Sequence, residues 1–190
     1  MTGRLAITTG IFGLLALVFL ILFFTIGGPF GTLNDISNGV TGILSGVLAW
    51  SLFHKFYSGQ TFLIFSSIGA LGVMVGSALI IYDITGWYLA GLCTSAGYAL
   101  IGLWLCTLNY SVRQFNPWPQ RLMTLGLISG IIMALGLLTI PAIINRIDEW
   151  ELGPWYVNYI GQLGSLGYLL LYPLWCILVG RNLLLRQKSR

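Results

Sequence analysis

Residues 155–181, WYVNYIGQLGSLGYLLLYPLWCILVGR, combine a membrane-spanning length of apolar sequence with an unusual density of uncharged polar side chains. Crossing the hydrocarbon core of a bilayer takes about 20 residues of helix. Along such a helix Asn158, Gln162, Ser165 and Tyr172 fall at i, i+4, i+7 and i+14, which predicts one shared face. An unpaired amide in hydrocarbon is costly, so this stripe is expected to turn inward, toward neighbouring helices or a wet cavity. The rest of the chain then reads as a bundle packed around this segment.

Composition agrees. The 190 residues are 57% hydrophobic and 7% charged, against about 25% charged for soluble domains. Mean hydropathy is +0.89. Six apolar segments follow: 5–26, 36–53, 62–82, 87–108, 122–144 and 155–179. Their short connections leave no room for a soluble domain. The expected fold is an all-α polytopic integral membrane protein, a compact bundle of six transmembrane helices over 1–190. The first segment is too long for a signal-peptide core and runs straight into the next span, so it counts as the first helix. In size and number of spans the chain is similar to vitamin-uptake substrate-binding subunits and to small urea or amide channels. That likeness carries no motif and assigns no residue.

Charge predicts orientation. With six alternating spans, Arg4, Lys55, Arg113, Arg121, Arg181, Arg186, Lys188 and Arg190 share one side, and Asp35, Asp83, Asp148, Glu149 and Glu151 share the other with only Arg146. The positive-inside rule then puts both termini in the cytoplasm. Minimal loops suggest a prokaryotic plasma (inner) membrane. The net charge of +4 thereby reflects topology and attraction to anionic membrane lipids, not nucleic acid. Trp50, Trp104 and Trp175 toward one membrane surface and Trp87, Trp150 and Trp155 toward the other predict two aromatic belts. Trp118, held between Pro117 and Pro119, is expected in an extended turn resting on headgroups.

Small residues recur at helix-contact spacing, as in Gly39, Gly42, Gly46 of the second segment and Gly69, Gly72, Gly76 of the third. Such faces let helix backbones approach closely, and they also suit a homo-oligomer or a partner in a membrane complex. Ser95-Ala96-Gly97-Tyr98-Ala99-Leu100 matches Ser165-Leu166-Gly167-Tyr168-Leu169-Leu170, which hints at a bundle of three related hairpins.

Two polar stripes suggest an interior site. Asn34, Asn38, Thr41 and Ser45 share a face of the second helix. If that face meets the stripe on the last helix, Asn38, Asn158 and Gln162 line a cavity opening outward. Asp35 and Asp83, with Trp155 and Tyr159, would give it a mouth that attracts cations by charge and by ring faces. Asn34 or Asp35 could instead cap the second helix. Asp83 meets the negative end of the third helix and calls for compensation, for which Arg146 is the outer cation available. Pro141 and Pro173 predict local kinks.

Enzyme chemistry lacks its parts. His54 is the one histidine, so no two-histidine haem or metal cluster can form within the chain. Cys93, Cys106 and Cys176 have no metal-ligand spacing. Neither a cofactor nor a metal is expected. Two readings remain. One is binding or transport of a small neutral or cationic solute through an aromatic and polar pocket, by Asp35, Asn38, Asp83, Trp155, Asn158, Tyr159 and Gln162. The other is a non-catalytic accessory or scaffolding subunit.

Overall fold

A computed structural model describes residues 1–56, 60–115 and 117–188. Of the basic residues above, Arg190 and the Lys188 side chain lie outside the described residues. The fold is all-helical, with α1 Thr2–Ile26, α2 Phe30–Phe56, α3 Gln60–Ile81, α4 Trp87–Ser111, α5 Gln120–Ala134, α6 Ile140–Ile144, α7 Trp155–Leu166 and α8 Tyr172–Lys188. A 3₁₀ stretch, Leu135–Thr139, joins α5 to α6, and a π-helical turn, Gly167–Leu171, joins α7 to α8. Among the described residues six helices are therefore long and apolar enough to span a membrane, the fifth being Gln120–Ile144 and the sixth Trp155–Gln187.

The spans form a closed ring in chain order. α1 packs on α2, α2 on α3, α3 on α4 and α4 on α5; the sixth span follows α5, and α8 returns to α1. Alternating directions gather residues 27–29, 82–86 and 145–154 at one end, here the acidic end, and both termini at the basic end. The most enclosed span is α4, not the last one. It owes this to small residues on two faces, because Gly97 meets Val73 and Gly69 of α3 while Gly102 meets Gly130 and Met133 of α5. Other small-residue faces are likewise turned to neighbours of the same chain, Gly42 to Val73 and Gly3 and Gly10 to α8.

Three expectations need correction. The second helix begins at Phe30, so Asn34 and Asp35 lie in its second turn and cap nothing. The stripe on the last span does not hold one face: Gln162 is exposed whereas Tyr172 is fully buried. The cause is the π turn, whose extra residue rotates α8 relative to α7. Pro173 accounts for it, since a proline one turn on lacks an N–H and crowds the carbonyl four residues back. Pro141 acts similarly on the fifth span, which tightens to 3₁₀ geometry just before it. Finally, the belts are formed by Trp50, Trp87, Trp150 and Trp155, all exposed, while Trp104, Trp118 and Trp175 are interior.

Close backbone approach makes a sharp prediction. A Cβ added at Gly97 would lie 2.5 Å from the Val73 nitrogen and 2.8 Å from the Gly69 carbonyl, whereas one at Gly91 meets no atom within 4 Å. Gly97→Ala is expected to lose about 1–3 kcal/mol to overpacking. Gly91→Ala on the same helix is expected to be neutral or to gain up to about 1 kcal/mol in helix propensity. Thermal unfolding in detergent, followed by tryptophan fluorescence, separates the two.

Candidate functional site

The polar residues of α2 are buried and bonded in a chain. Asn34 Nδ2 donates to the Ala16 carbonyl of α1 at 2.8 Å, and Asn38 Nδ2 donates to Asn34 Oδ1 at 3.1 Å. The Tyr98 hydroxyl of α4 donates to the Asn38 carbonyl and side-chain oxygens, both at 3.3 Å. One turn further, Thr41 and Ser45 hydroxyls bond carbonyls of their own helix, and the Tyr172 hydroxyl donates to Ser45 Oγ at 2.9 Å. Here the second and sixth spans meet. At the acidic end they do not, since α7 leans on the fifth span and α4 while α8 alone packs closely on α1.

Tyr98 lies flat on Tyr168, ring centroids 4.3 Å apart and planes 3° from parallel. These are the tyrosines of the two matching motifs, and the match extends further back: 91-GLCTSAGY-98 and 161-GQLGSLGY-168 share Gly, Ser, Gly and Tyr at the same spacing. Gly91 and Gly161 each sit seven residues, about two turns, from their tyrosine toward the acidic end. Gly91 is in phase with buried Ser95, Tyr98 and Gly102, and Gly161 with buried Val157 and Gly164, so both face inward. Yet a Cβ at either would meet nothing within 4 Å. Beside each of these half-buried glycines, two turns from the stacked tyrosines, the space a side chain would take is open. Ser95 Oγ and Ser77 Oγ, buried on α4 and α3, have no hydrogen-bond partner among the described residues.

The stack continues as an aromatic column to the basic end. Tyr172 stacks on Trp175, centroids 6.2 Å apart, and Trp175 meets the edge of Trp118 at 6.1 Å. Trp118 does not rest on headgroups. It is 1% exposed, its Nε1 donates to Asn109 Oδ1 at 3.3 Å, and Phe56 stands edge-on to it at 5.4 Å. Gly126 in turn leaves room for Asn109 and Trp175, the two residues that Trp118 contacts.

The seven residues singled out above fall in four places. Asn38 bonds to Tyr98 of the stack, and Asp35, half-buried one position from Asn34, stands beside the Gly39 face of α2. Asn158 serves the acidic-end loop instead: its Oδ1 accepts from the Tyr88 hydroxyl at 2.5 Å and its Nδ2 donates to the Trp150 carbonyl at 3.1 Å. Trp155 and Tyr159, 73% and 67% exposed, and Gln162 line the outer side of α7. Asp83 is exposed at a cap. The third and fifth spans end alike, with Asp83 and Arg146 in the left-handed region at φ 53°. At these ends Ile84 N donates to the Leu79 carbonyl and Ile147 N to that of Ala142, each closing a Schellman turn. Arg146 makes no ion pair with any of the acids among the described residues; backbone capping, not charge, closes both helices.

Asp148 does the work that α4's own N-terminus lacks. Gly86 has no side chain to cap the helix, and Asp148 accepts from Gly86 N at 2.6 Å and Leu89 N at 3.1 Å. A carboxylate there also meets the positive end of the helix dipole. Residues 145–154 are thereby clamped to α4 at two points. Asn158→Leu, which strands the buried Tyr88 hydroxyl, is expected to cost about 1–3 kcal/mol. Asp148→Asn, which weakens a cap, should cost about 1 kcal/mol. Both should speed proteolytic cleavage within 145–154, which limited digestion in detergent measures. Set against known protein families, curated proteins and solved structures, the chain matches none.

Proposed function

We propose that the protein binds and conducts a small neutral or cationic solute, which enters at the acidic end and rests above the Tyr98–Tyr168 stack. One observation carries this reading: two inward glycines, Gly91 and Gly161, leave open space two turns from an aromatic stack edged by amides and hydroxyls. Aromatic faces favour a cation by about 0.5–2 kcal/mol, and the five acids at that end raise its local concentration. By the positive-inside rule the acidic end is external and both termini are cytoplasmic, in a plasma membrane of prokaryotic type. Asn38 orients the solute. Asp35 attracts it from the α2 side, and Trp155, Tyr159 and Gln162 serve at most as an outer rim.

The two GxxxSxGY stretches, with the twin Schellman ends of the third and fifth spans, support a repeat relation between the second and third hairpins. Transporters built from repeats hold substrate where the repeats meet, and the paired tyrosines lie on that line. Below them the Tyr172–Ser45 contact and the Trp118 plug close the path toward the basic end. The adjoining 3₁₀ and π stretches, with their looser hydrogen bonding, are the compliant parts of the wall.

Filling the space tests the site directly. Gly91→Phe and Gly161→Phe should leave a folded, monodisperse protein whose uptake of solute into proteoliposomes falls at least about tenfold, the result of raising a barrier by about 1.4 kcal/mol. A panel of small amides, polyols and quaternary ammonium ions, with stopped-flow light scattering for neutral species and radiolabel for cations, supplies the readout. If the filled variants match the wild type, or if no member of the panel crosses, the conduction reading fails and the scaffolding role gains, to be sought as an obligate partner in native-detergent mass measurement.

Trp118→Ala removes the plug. It should cost about 3–5 kcal/mol of stability, as for other buried tryptophans, and raise passive leak of the same solutes through the basic end. A destabilised but tight protein would make Trp118 a packing residue only.

A further inference from the structure

At the basic end, Gly3 of α1 and Gly180 of α8 cross so closely that a Cβ on Gly3 would fall 2.9 Å from the Gly180 carbonyl. The residues that follow them are Arg4 and Arg181. Between them opens a cleft of about 460 Å³ lined by Arg4, Arg181, Leu184, Leu185 and Gln187. Both arginines are exposed, all five acids lie elsewhere in the chain, toward the acidic end, and neither guanidinium has an ion-pair partner among the described residues. Leu185 is 65% exposed beside them.

We infer that this cleft is a binding site for one anionic phospholipid. Two guanidiniums from different helices line it, and each carries a planar fork of donors that suits phosphate oxygens. From Arg181 toward the membrane interior the same face of α8 carries exposed Leu178 and Leu174, along which an acyl chain would run, while Gln187 offers a donor or acceptor to a glycerol headgroup. The level is right for a lipid: Arg4 stands immediately before the apolar run of α1, so the cations mark the surface of the hydrocarbon. A basic pocket between transmembrane helices at a membrane surface is how headgroups of this class are held. A bound lipid would also bridge α1 to α8, the contact that closes the ring.

Native mass spectrometry of the full chain in detergent, titrated with phosphatidylglycerol or phosphatidylcholine, tests the inference. The wild type is expected to retain phosphatidylglycerol well above phosphatidylcholine. Arg4→Gln and Arg181→Gln should each weaken that retention by about fivefold, the worth of one cation near a charged bilayer surface, while Arg146→Gln at the far end leaves it unchanged. Inorganic phosphate should not displace the lipid. Equal retention of the two lipids, full retention by the Arg4→Gln/Arg181→Gln double variant, or displacement by inorganic phosphate, which marks a site for the free anion, would each overturn it. Because every substituted side chain is exposed, unchanged melting temperatures certify the fold, and the outcome is independent of solute conduction.

Discussion

Hydrocarbon offers no hydrogen bonds, and that single fact organises this molecule from the axis outward. Each polar group placed between the membrane surfaces must find a partner within the protein or meet water admitted by it. α2 carries Asn34, Asn38, Thr41 and Ser45 on one face, and each is answered by a carbonyl, an amide or a tyrosine hydroxyl within the ring. Such bonds average only about 0.6 kcal/mol each in membranes. Their effect on geometry is larger than their effect on energy: they decide which face of α2 looks inward, and thereby leave Ile36, Ile43 and Val47 to the lipid.

Departures from ideal helix follow from the same constraint. A proline within a span frees a carbonyl that has nowhere to turn in lipid, so the backbone itself must adapt. The fifth span narrows to 3₁₀ geometry before Pro141, and the sixth widens to a π turn before Pro173. The two defects are neighbours, for Gly167 fits against Met133 and its carbonyl accepts from Ser129 Oγ at 3.5 Å. On the far side, Gly10 and Gly13 of α1 make room for Pro173. The irregular turn is accommodated on both flanks by small residues, which is why it does not unravel the ring.

Hydropathy made the six spans legible, because spanning length is a property of long windows and tolerates errors of a few residues. Boundaries depended on polar residues and were less legible. α2 begins at Phe30 rather than near Ile36 because the amides that lower its hydropathy are satisfied from α1 and α4, which no local pattern reveals. Asn109 escaped notice because it lies just past the apolar run of α4, although it anchors Trp118. The stripe from Asn158 to Tyr172 assumed a constant 100° per residue, an assumption that one π turn defeats. Trp118 between two prolines has the local signature of an interfacial residue; that it is interior follows from its contacts with Asn109, Trp175 and Phe56, which only the packed bundle discloses. The paired GxxxSxGY stretches could have been found in the sequence, had the match been extended back from Ser95 and Ser165 to the glycines.

The distribution of small residues separates structure from site. Wherever glycine serves packing here, the position of its absent Cβ is occupied by a neighbour, as at Gly69, Gly97, Gly102 and Gly130. Gly91 and Gly161 obey the same helical phase but have no such neighbour. Helix packing supplies no reason to keep them small, since alanine would be a better helix former by about 1 kcal/mol and would fit. Under the proposed function, that room is kept for a solute. The paired placement of these glycines, two turns from paired tyrosines, would suit an occupant that is small, flat or cationic, with the polar and aromatic column toward Trp118 beneath it.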